Sequence, residues 1–143
     1  MSDSLPLSWR MVGFQNFMGI QVVDWEPDQV TLALTVEPHH LNRSGIVHGG
    51  VLSTLLDVAL SFSGLHCEMP DQLRKAMTLS LSTTFVAPAK GEALRAVGRL
   101  EGGGRTTFMA SGKVFDSEGI LVAMGEGAFR RRRGSEAEQG ESQ

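Results

Sequence analysis

The chain has 143 residues, 41% hydrophobic and 20% charged, with a formal net charge of −3. That is enough for one domain with a real core, and the slightly acidic balance excludes the global basic field that draws nucleic acid. A single cysteine, Cys67, excludes a disulfide framework within the chain, no Cys/His spacing suggests zinc, and no apolar run approaches membrane-spanning length. The opening residues, MSDSLPLSWRMVGF, lack the basic start and apolar run of a signal peptide. The expectation is a cytoplasmic protein with neither membrane nor nucleic acid as partner.

In chain order, Leu5, Trp9, Val12, Phe14 and Phe17 lie unevenly among polar residues, which predicts a short amphipathic helix over 5–17. Residues 19–25 and 30–36 are β-rich, and the turn Glu26-Pro27-Asp28 joins them into a hairpin. A loop over 38–47 leads into a helix from about 49 to 66, ended by Met69-Pro70-Asp71. Four strands follow, over 78–86, 93–100, 106–115 and 120–129, separated by Pro88 and Lys90-Gly91, by Gly102-Gly103-Gly104, and by Asp116–Gly119. Strands grouped around one long helix predict an α+β domain over 1–133, with an antiparallel sheet curled over that helix. Residues 134–143 carry almost no apolar side chain and are expected to be a disordered acidic tail.

The long helix carries one acid. At about 100° per residue, Gly50, Ser53, Thr54, Asp57, Ser61 and Gly64 fall in one stripe, and the rest of the girth is apolar. A solvent face would normally carry Lys, Glu, Arg and Gln. A stripe of small residues is instead expected to pack against another surface, such as the same helix region of a second subunit. Asp57 would then be desolvated and would need hydrogen-bond donors. Structural and catalytic roles are both open for such an acid.

His48-Gly49-Gly50 stands at the start of this helix, where backbone N–H groups lack partners. Glycine permits close approach to them, and the helix dipole adds partial positive charge. A carbonyl oxygen gaining negative charge during acyl transfer would be stabilised there. A tight turn is the alternative use of Gly-Gly.

The run Asn42-x-x-Gly45-x-x-His48-Gly49-Gly50, followed by Asp57, resembles the motif of PaaI-like thioesterases in the hotdog-fold superfamily. The resemblance covers roughly residues 10–130 and includes Phe85-x-x-Pro88 and Gly104-Arg105-Thr106. It implies a hotdog fold, with one central helix wrapped by five to six strands. It implies an acyl-CoA hydrolase acting on an aryl or medium-chain acyl group, without metal or redox cofactor. Active sites would form between two subunits, and dimers would pair into a homotetramer. By the same resemblance, Asp57 activates water or attacks the thioester, the Gly49 N–H polarises the carbonyl, and Asn42 and His48 orient substrate and water. Thr78 would lie near the reacting water. Gly50, Gly104, Arg105 and Thr106 would contact substrate or CoA.

Each of these residues has a simpler use. Asn42 could close an Asx turn, His48 could cap the helix, Thr78 could be an ordinary strand residue and Arg105 could flank a turn. His39, His40 and His66 read as surface or turn residues. Arg130–Arg133 read as a solvated strand end, with an anion site as the other use. A non-catalytic acyl-CoA binding or regulatory protein is the alternative function, since it would share the fold without needing Asp57.

Overall fold

The computed structural model describes residues 5–132. The expected tail and Arg133 lie outside them. The expected N-terminal helix is two shorter pieces, a 3-10 turn at Leu7–Trp9 and α1 at Gly13–Met18. The sequence Arg10-Met11-Val12 between them is extended or irregular, as its uneven apolar spacing allows. Then come β1 (Ile20–Glu26), β2 (Gln29–Thr35), a second 3-10 turn (Pro38–His40) and α2 (Gly49–Ser63). β3 (Ala76–Phe85), β4 (Ala93–Gly103), β5 (Thr107–Asp116) and β6 (Leu121–Arg131) complete the domain.

The strands form a single antiparallel sheet in the order β1-β2-β4-β5-β6-β3. Glu26 pairs with Gln29, so Pro27 and Asp28 alone make the first turn. Pro27 presets one backbone angle and Asp28 takes a left-handed φ of 71°. α2 touches all six strands, so the sheet must curve around it.

The alternation read in the sequence decides which face meets the helix. Leu32 and Leu34 of β2, Leu94 and Ala96 of β4, Phe108 and Val114 of β5, and Phe129 of β6 are buried against it. From α2 come Leu55, Leu56, Ala59 and Leu60, all fully buried. The helix lies so close to β4 that a Cβ at Gly98 would run into the carbonyl oxygen of Ala59. Gly98 is therefore a packing glycine inside a strand. Leu56→Ala should cost about 2–5 kcal/mol of folding stability by emptying a sealed part of this core. A denaturant midpoint that does not move would contradict this packing.

β3 departs from the pattern. It is an edge strand, and all its residues are exposed or half-exposed. Met77, Leu79 and Phe85 show large apolar surface there. An exposed apolar edge invites pairing with another chain.

Candidate active site

Asp57 sits midway along α2, half-buried, on a groove of about 910 Å³. One side of the groove is the small-residue stripe of α2, with Ser53, Thr54 and Ser61 beside Asp57. Thr54 and Ser61 return their hydroxyls to helix carbonyls, at 2.8 Å to Gly50 and 3.2 Å to Val58, so the stripe makes few demands on water. The other side comes from the N-terminal segment, including Leu7, Val12 and Phe14, and from the start of β3. A single chain leaves Asp57 partly open to solvent, so full desolvation of the carboxylate would require a further surface.

Thr78 meets Asp57. It pairs across the sheet with Phe129, a core residue, so both side chains belong to the helix-facing side. The ladder shifts register immediately afterwards, between Thr78 and Ser80. The Thr78 hydroxyl donates to Asp57 Oδ1 at 2.7 Å. That leaves Oδ2 to accept from a water or to approach an electrophile.

The remaining motif residues lie at the N-terminal end of α2. His48 is the N-cap, and its Nδ1 accepts the Gly50 N–H at 2.8 Å. His48 thus has its simpler use as a helix cap, and Gly50 spends its N–H on that cap. The Gly49 N–H meets no acceptor among the described residues, as expected in a first helical turn. A Cβ at position 49 would press on the Phe85 ring at 3.2 Å, so glycine also suits the packing there. Asn42 closes its own loop, its Oδ1 accepting from the Ser44 and Ile46 N–H groups at 2.9 and 3.2 Å. Only its NH₂ group remains for a ligand.

Asp57 and Gly49 do not come together. Eight residues of unbroken helix separate them, about 12 Å along the axis. They open into different cavities. Gly49 lines a space of about 390 Å³ with Phe85 and Pro88, and Asp57 does not reach it. One chain therefore holds these two motif residues in separate cavities.

The turn holding Gly104, Arg105 and Thr106 lies near the opposite end of α2. Arg131 ties it there. Its Nε donates to the Gly64 carbonyl at 3.0 Å, and its Nη1 donates to Gly104 and Arg105 carbonyls at 2.6 and 3.2 Å. The guanidinium also lies 4.5 Å from the centre of the Phe108 ring. Burial pulls its pKa below the ordinary arginine value, with the charge of Arg74 adding to the effect. Arg131 is thus committed to holding backbone, which corrects its reading as part of a solvated strand end. Arg130 points outward and is exposed.

Burial pushes the Cys67 thiol pKa up, against a smaller opposing effect of Arg74, so it is poorly suited to be a nucleophile. Among the described residues no cluster of three His, Cys, Asp or Glu side chains could hold a metal ion, and no helix is long and apolar enough to cross a membrane. His40, read from sequence as a surface or turn residue, is 1% exposed. The signal for it was its spacing three residues after Glu37, across Pro38, as in a capped turn.

One long helix wrapped by a six-stranded antiparallel sheet defines the hotdog class, and the expected fold is the one observed. Residues 44–123 match the thioesterase superfamily model, and the chain belongs to that superfamily. It is 25% identical to mouse acyl-coenzyme A thioesterase 13, over 86% of this chain and 88% of the relative. It is also 25% identical to the Escherichia coli medium/long-chain acyl-CoA thioesterase YigI, over 77% of this chain and 79% of that one. The solved structure of the E. coli PaaI protein superposes with a TM-score of 0.73 at 21% identity, covering 85% of each chain, which speaks to the fold.

Proposed function

We propose that the protein hydrolyses an acyl-CoA to a carboxylic acid and free CoA. The observation that carries this reading is the Asp57 carboxylate, oriented by the Thr78 hydroxyl at 2.7 Å and open on a groove partly walled by apolar side chains. In the general-base route Asp57 takes a proton from water as the oxygen attacks the thioester carbonyl. The tetrahedral oxyanion accepts the Gly49 N–H at the positive end of a helix. Collapse breaks the C–S bond, and the thiolate of CoA takes back the proton held by Asp57. In the nucleophilic route the same carboxylate attacks the carbonyl, the C–S bond breaks to expel the CoA thiolate, and water opens the mixed anhydride to the carboxylic acid and the Asp57 carboxylate, the freed proton going to the thiolate. His48 shapes the helix start, and the Asn42 NH₂ group is available to the substrate.

Two half-sites about 12 Å apart cannot serve one carbonyl within one chain. The reading therefore requires Gly49 of one protomer to face Asp57 of its partner. A two-fold pair would contain two such sites. The exposed apolar edge at β3 supports this, as does the small-residue stripe. Pairing of dimers into a tetramer remains part of the proposal. A monomer by light scattering at micromolar concentration, with activity retained, would remove the shared site.

Beyond Asp57 toward the end of α2, Val58, Phe62, Leu65 and Leu73 give the groove an apolar wall, beside Arg74 and Lys75. It follows α2 for about 9 Å, from Asp57 to the helix end at Ser63. This supports an extended medium-chain acyl group over a compact aryl one. Thiol release over a panel of straight-chain and aryl acyl-CoAs tests both levels. Release from none would favour the non-catalytic acyl-CoA binding protein, and a preference for aryl groups would overturn the chain-length reading.

The 104–106 turn is exposed and held from behind by Arg131, which leaves the Arg105 side chain available to CoA phosphates. Arg105→Ala should raise KM with little change in kcat, more at low salt than at high salt. An unchanged KM at low salt would make Arg105 a turn residue only.

A further inference from the structure

His40 is a fully buried histidine outside the thioesterase motif, and both its ring nitrogens are occupied. Nδ1 accepts the Glu37 N–H at 2.9 Å. Nε2 therefore carries the proton and donates to the Met18 carbonyl at 2.8 Å. Met18 is the last residue of α1, and the residues opening that helix region, Val12, Phe14 and Gln15, line the Asp57 groove. A second contact joins the same two segments, the Phe17 ring lying 5.9 Å from that of His39. The backbone of His40 reaches the other half-site, because its carbonyl accepts the His48 N–H at 2.8 Å, immediately before Gly49.

We propose that His40 is a positioning residue, whose side chain sets the α1 wall of the Asp57 groove and whose capped turn sets the loop that presents the Gly49 N–H. The inference rests on the hydrolase reading for its kinetic consequences and on these hydrogen bonds for the positioning itself. The two ring bonds should govern different steps. Losing the bond to Met18 loosens a wall that holds the acyl group in ground and transition state alike. Losing the bond from Glu37 loosens the turn that fixes His40, and with it the donor that matters most in the transition state.

Two substitutions separate them. Asn in His40→Asn can still accept from Glu37 near the position of Nδ1 but is too short for Met18. Gln in His40→Gln can reach Met18 but has no acceptor beside Glu37. His40→Asn should raise KM for acyl-CoA on the order of tenfold, the worth of one buried hydrogen bond, with kcat nearly kept. His40→Gln should lower kcat by a similar factor with KM nearly kept. Hydrogen exchange followed by mass spectrometry should show faster exchange over 13–19 in the first and over 47–52 in the second. Equal kinetics and equal exchange in both variants and wild type would reduce His40 to space filling and overturn the proposal. So would uniformly faster exchange across the domain, the mark of general destabilisation. If the wild type cleaves no thioester, the hydrolase reading fails, and the exchange pattern alone decides for or against His40.

Discussion

Asp57→Asn is expected to lower thioester hydrolysis by at least ~10²–10⁴-fold, the usual worth of a general base, while leaving fold, assembly and acyl-CoA binding in place. Asn matches the carboxylate in shape and can accept the Thr78 hydroxyl through its amide oxygen, so the 2.7 Å contact survives. Packing should also survive, because Asp57 is only half-buried and its side-chain partner among the described residues is the Thr78 hydroxyl, which Asn also satisfies. The amide cannot take a proton from water near neutral pH, and it cannot form a mixed anhydride. Both routes therefore stop at the same substitution. If Asp57 were structural, the variant would misassemble and lose activity only in proportion. A folded, assembled Asp57→Asn protein with turnover within a few-fold of wild type would eliminate Asp57 as the reacting group.

The second large effect concerns Gly49 and the division of the site between chains. Proline at position 49 removes the one N–H proposed to hold the oxyanion. It does so where a helix tolerates proline best, at the first helical position. The residue before it, His48, already has φ −62° and ψ 138°, the extended geometry that a following proline imposes. Gly49→Pro should therefore fold and lose about 10²–10³-fold in kcat. Gly49→Ala keeps the N–H and adds a Cβ against Phe85, so it measures the steric part alone. Mixing Gly49→Pro with Asp57→Asn under subunit exchange should then restore activity. In each mixed pair one site combines the two intact residues and the other combines the two altered ones. Random exchange of equal amounts gives about a quarter of wild-type activity from two nearly inactive parents. A mixture as inactive as its components, with exchange verified by mass, would show that Gly49 and Asp57 do not meet across the interface.

Much of this molecule is set by patterns of short range. Alternation over 30–36 and 78–86 made strands, and the Leu- and Val-rich run after Gly50 made the helix, because period and turn residues act locally. The helical wheel placed Asp57 among small residues, and the observed groove runs along that stripe. The helix ended three residues before the expected position, at Ser63, where the Gly64 carbonyl is taken by Arg131 from across the sheet. No local signal could specify that contact, since it spans 67 positions of sequence.

The tertiary structure decided the rest through register and crossing. Thr78 reaches Asp57 because β3 pairs with β6 in one register up to the shift after Thr78. A slip of one residue would have sent its hydroxyl to the far side of the sheet. His40 looked like a loop residue beside His39, yet α1 folds back over it and supplies the Met18 carbonyl. Arg131, one of four consecutive arginines, turns inward because strand alternation aims it at Gly64 and Gly104 while its neighbour Arg130 faces out. The motif chemistry is local and can be read along the chain. Which motif residues share a cavity depends on contacts between distant segments, and those exist only after the sheet has closed around the helix.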